Sequence, residues 1–66
     1  MKMTELQVLN FTRRGIIDRI LEIMNKMPDV SVLASKRLAE ELLTLHSYLC
    51  EIEEKIRVEE DRLDAE

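Results

Sequence analysis

LAEELLTLHSYLCEIEEKI, residues 38–56, places apolar side chains at Leu38, Leu42, Leu45, Leu49, Ile52 and Ile56, in unbroken steps of four and three. Such spacing averages 3.5 residues, close to the period of an α-helix, so the side chains form one narrow stripe that other helices must cover. Beyond Ile56 the next seam position is Glu59 and the one after it Leu63. The segment therefore predicts a helix built to pack on helices, and with it an all-α fold.

Working toward the N-terminus, the only strong interruption is Met27-Pro28-Asp29. Proline lacks the amide hydrogen and biases the preceding residue away from helical geometry, so a first helix has to end near Asn25 to Met27. Its start is marked by Thr4-Glu5-Leu6-Gln7, which has the form of a capping box. Between these limits Leu6, Leu9, Ile16, Ile20, Ile23 and Met27 follow three and four spacing, and Ile17, Leu21 and Met24 widen the stripe on one flank. A stripe that wide faces more than one neighbour. After the turn, Asp29 or Ser31 can cap a second helix that nothing interrupts before about Leu63.

The expected organisation is one helical-hairpin domain over residues 1–66: helix 1 about 4–26, turn 27–30, helix 2 about 31–63, and an acidic, frayed tail over 59–66. Two antiparallel helices cover each other only as far as the shorter one reaches. On that argument Ile52, Ile56 and Leu63 stand near or beyond the end of helix 1 and require another chain. A homodimer follows, either two hairpins in a four-helix bundle or a parallel C-terminal coiled coil.

Length and composition point the same way. A chain of 66 residues buries only about 60% of the surface its unfolded form exposes, so it needs outside support. Cys50 is the only cysteine and His46 the only histidine, which leaves association rather than internal disulfides or metal. A single thiol suits a reducing cytoplasm, with a Cys50 to Cys50 bridge across a dimer still open. Lys2, Glu5 and Gln7 interrupt the first nine residues, unlike a signal peptide. No apolar run approaches the ~20 residues of a membrane span. A cytoplasmic protein is expected.

Gly15 has three readings: a helical glycine that lets a neighbouring helix approach closely, a helix that starts only near Thr12 or later, or a strand over Glu5 to Phe11. The strand followed by two helices resembles the ribbon-helix-helix repressors, but Leu9 follows Val8 directly and the alternation that family needs is broken.

Charge is unevenly spread. Residues 1–37 carry seven basic and four acidic side chains, and residues 38–66 carry three and ten. Glu51 with Lys55 and Glu53 with Arg57 have favourable i, i+4 order. The closing run Glu59, Glu60, Asp61, Asp64 and Glu66 either solubilises the tail or meets a basic partner. Arg13, Arg14, Arg19 and Lys26 make helix 1 the candidate contact for nucleic acid or another polyanion, although Asp18 and Glu22 lie among them and the net charge of −4 repels phosphate. In length and layout the chain resembles the small plasmid RNA-binding hairpin proteins, which dimerise into four-helix bundles and read an RNA loop pair from one face. The likeness is architectural, and Leu9-Asn10 followed by Arg13 carries no binding residue across.

No residue set amounts to a reaction centre. His46 flanks the seam beside Leu45 and Leu49, and Glu40 and Glu41 do not form the Glu-x-x-His spacing of bundle di-iron sites. Acidic neighbours Glu51, Glu53 and Glu54 disfavour a reactive Cys50 thiolate. The short two-helix phosphatases of sporulation response regulators carry Ser-Gln-Glu-Leu-Asp on their second helix. Ser35-Lys36-Arg37-Leu38-Ala39 lacks the acidic residue that chemistry requires. Met24 and Met27 close helix 1 beside Val30, Val32 and Leu33, as core filler or as an adaptable binding end.

The expectation is a non-enzymatic interaction protein without cofactor, metal or small-molecule substrate: an adaptor, chaperone or inhibitor that holds a protein partner on an apolar helical stripe. Its interface residues would be Leu38, Leu42, Leu45, Leu49, Ile52, Ile56 and Leu63 with Ile16, Ile20, Ile23, Met24 and Met27. The alternative is a dimeric nucleic-acid-binding regulator using the basic face of helix 1.

Overall fold

A computed structural model describes residues 3–65; Met1, Lys2 and Glu66 lie outside the description, and with them the last acidic residue of the tail. The described chain is a helical hairpin of α1 (Glu5–Lys26), a single 3₁₀ turn (Met27–Asp29) and α2 (Val32–Ala65). No strand occurs among the described residues, so Glu5 to Phe11 belong to α1.

The N-terminus of α1 forms as the capping box requires. Thr4 Oγ1 accepts from the Gln7 amide at 3.2 Å, and the Gln7 side chain accepts from the Thr4 amide at 2.9 Å. Asn10 and Thr12 are indifferent helix formers, yet both side chains donate back to carbonyls one turn earlier, at Leu6 and Val8, each at 2.9 Å. Gly15 is helical, and an added Cβ there would meet no heavy atom within 4 Å. The close approach of a neighbouring helix is therefore not made within this chain.

Pro28 sits in the first turn of the 3₁₀ segment, where its missing amide costs nothing, and Val30 turns the chain with extended geometry. Of the two candidate caps for α2, Ser31 serves: its hydroxyl accepts from the Ala34 amide at 3.3 Å and its carbonyl from Ser35 at 2.8 Å. α2 continues through the acidic run to Ala65. Arg57 bonds Glu54 and Asp61, and Arg62 bonds Glu59, so each cation ties one turn of helix to the next. The anticipated pairing of Glu53 with Arg57 does not form, because Glu53 turns instead toward Arg13 across the hairpin.

The molecule measures 52 × 23 × 13 Å. The long dimension is the length of α2, and the short one is a single helix diameter, so the hairpin has no third layer. Its core is correspondingly thin: among the described residues only Ile23, fully covered, and Ile56, 8% exposed, are buried.

Ile56 corrects the coverage argument made from length. Arg19 lies beside Glu41 and Arg13 beside Glu53, so moving toward the start of α1 moves toward the end of α2. Continuing that register brings Asn10 level with Ile56, beside which it lines the same groove, and Leu6 level with Glu60. With its start at Glu5, α1 runs past the level of Ile56. The overhang begins only past Glu59, which is still partly covered, and the next seam residue, Leu63, is exposed.

Candidate interaction face

The two flanks of the seam differ. On one, Arg19 reaches across to Glu41 with Nε–Oε2 at 2.9 Å and Nη2–Oε1 at 3.1 Å, and also meets Glu22 at 3.3 Å. Lys26 completes the group by bonding Glu22 at 3.3 Å. Glu41 raises the Arg19 pKa, chiefly by this hydrogen bond, and Lys26 together with Arg19 holds the Glu22 carboxyl below its usual range. Charge closes this side.

The opposite flank is open and apolar in the half nearest the turn. Helical spacing puts Ile17, Leu21 and Met24 of α1 on the same side as Ala39, Leu43, His46 and Cys50 of α2. Leu21 and Met24 are about half exposed and Leu43 is 71% exposed. Between the helices a groove of about 420 Å³ is lined by Ile20, Ala39, Leu42, Leu43 and His46. None of these carries a carboxylate, ammonium or guanidinium. His46 stands at its edge, with Nδ1 3.9 Å from the Cys50 sulfur one turn on.

Further from the turn, the same flank becomes polar. A groove of about 430 Å³ there is lined by Arg13, Arg57, Glu53, Glu60, Asp61 and Asp64 around Asn10 and Ile56. A third hollow, of about 400 Å³, lies along α1 alone and includes Met3, Phe11 and Arg14.

The interface residues expected from sequence fall into two groups. Leu38, Leu42, Leu45, Leu49, Ile52 and Ile56 face α1, together with Ile16, Ile20, Ile23 and Met27, all buried or partly buried inside the hairpin. Met24 and Leu63 are exposed. The ladder that signals the fold is thus mostly consumed within one chain, and the open face is built from the columns beside it. Leu43 lies off the four-three ladder; its place four residues after Ala39 and three before His46 is the signal that marks it.

The four cations of α1 do not make one basic patch. Arg13 meets Glu53 at 3.7 Å, and Arg19 and Lys26 are paired with carboxylates on the charged flank. Arg14 lies on the outer hollow near Phe11. Among the described residues no three His, Cys, Asp or Glu side chains are grouped to hold a metal ion, and no helix is long and apolar enough to cross a membrane.

Exposed surface totals 5489 Å². A compact monomer of 7.8 kDa exposes roughly 4,400 Å² by the usual mass scaling, so the hairpin carries on the order of 1,100 Å² more. The fold and this flank together define a helical hairpin with an unpartnered apolar face. Comparison with known protein families, curated proteins and solved structures finds no match.

Proposed function

We propose that this chain is a non-enzymatic helical interaction protein, an antiparallel hairpin that self-associates into a four-helix bundle and acts as an adaptor, chaperone or inhibitor by seating helices on its apolar face. One observation carries the reading: in the half nearest the turn, the flank bearing Leu21, Met24 and Leu43 is exposed and its groove is uncharged, while the other flank is closed by Arg19 and Glu41. A solvated helix surface would carry charge on both flanks. An exposed apolar strip bordered by polar groups is the signature of a docking site for another apolar helix face. The polyanion reading has less support, since three of its four cations are already matched by carboxylates.

The test is a pair of variants read by sedimentation mass and circular dichroism. Leu21→Glu with Leu43→Glu leaves the intrachain seam untouched and is expected to abolish association. Phe11→Glu, on the outer surface of α1, is expected to leave it intact. Equal association of both variants would refute the assignment of the face.

A further inference from the structure

We infer that the open face is occupied by a second copy of this chain, turned so that the turn of each hairpin lies over the open end of the other. This rests on the apolar flank being an interface at all, and adds what covers it and in which direction.

The surface area favours a second copy. A stable interface removes about 800 Å² from each partner, and the hairpin exposes on the order of 1,100 Å² beyond a compact chain of its mass, against a measured 5489 Å². A slab one helix thick acquires its missing layer when an identical slab is laid on it. The face is also self-complementary, because residues without charge meet residues without charge and no ion is desolvated.

Direction is decided by the charges that border the strip. Its apolar part on α2 runs from Ala39 to Cys50, and a two-fold axis perpendicular to the hairpins bisects it between Leu43 and His46. That axis makes Leu43 level with the partner's His46 and Lys36 level with the partner's Glu53. It also carries Lys36, the cation that borders the strip near the turn, toward the groove where Glu53, Glu60, Asp61 and Asp64 outnumber Arg13 and Arg57 by two charges. An axis parallel to the hairpins buries the same apolar residues but sets Lys36 against Lys36 and each acidic end against its copy. Like charges at close range favour the first arrangement.

Spin labels attached at position 33, an exposed site that keeps Lys36 intact, in a Leu33→Cys, Cys50→Ala chain separate the cases by their dipolar distance. Two-fold symmetry about the Leu43 to His46 midpoint puts the labelled backbones about 35 Å apart along the axis, from 1.5 Å per residue. Observation of that separation, broadened by label linkers to roughly 35–45 Å, supports the inference. A distance near the ~10 Å of adjacent helices overturns the direction while leaving self-association standing. Loss of any dipolar signal in a chain that is fully helical by circular dichroism overturns self-association itself.

Discussion

Arg19 and Glu41 meet through two hydrogen bonds, 2.9 and 3.1 Å long, and in the half nearest the turn join the helices along one flank of the seam. The consequence is a hairpin with two unlike sides. Paired charges are satisfied where they stand and gain nothing from a neighbour, whereas the apolar side is stabilised by being covered. Glu41→Ala should therefore lower the thermal midpoint slightly, and less so in high salt, while leaving the association state unchanged. A salt titration of melting temperature beside a mass measurement checks both halves.

Among the described residues, Ile23 is the one residue with no exposed surface. Ile23→Ala is expected to destabilise by about 2–5 kcal/mol, the range for deleting a core isoleucine. Phe11→Ala, at a position 73% exposed, should stay within about 0.5 kcal/mol. Urea unfolding followed at 222 nm distinguishes them, and similar effects at both sites would place the core elsewhere.

Gly15 lies in the interior of α1 with open space where a side chain would stand. Gly15→Ala should stabilise the fold by about 0.5–1 kcal/mol, through helix propensity and reduced freedom of the unfolded chain. A loss of stability, or of association, would mean that a second chain packs closely on this glycine.

Three carboxyls, Glu22, Glu54 and Glu59, are held below the usual carboxylate value of 4.5, each first by a hydrogen bond, from Lys26, Arg57 and Arg62 respectively. Because their folded pKa values are depressed, the stability they contribute is complete above about pH 4.5 and is lost as the pH falls through the folded values. Melting temperature should drop on acidification from pH 5 to pH 3. A steady rise over that interval would show that relief of repulsion along the acidic tail outweighs these pairs.

Much of this architecture is legible in the sequence because local chemistry fixes it. Thr4 and Gln7 specify the start of α1, Pro28 its end, and the ladder from Leu38 to Ile56 the face α2 turns inward. What the ladder could not reveal was how far α1 reaches. Coverage of Ile56 depends on the register between helices, which Arg13 with Glu53 and Arg19 with Glu41 express and which no single-helix pattern contains. The same limit hid the open face. Leu43 and Leu21 look like flanking residues until the hairpin closes and leaves them on one side with nothing above them. The partner of Glu53 is hidden for a related reason: Arg57 is near in sequence, but Arg13 is near in space and leaves Arg57 to Glu54 and Asp61.

The central claim is that the apolar flank is an interface, and the most direct measurement is the mass of the unaltered chain by light scattering across a concentration series from micromolar to millimolar. The account predicts a species of about 15.6 kDa, twice the 7.8 kDa of one chain, with helicity that persists as the mass is maintained. A helical species that remains at 7.8 kDa throughout the series would contradict it.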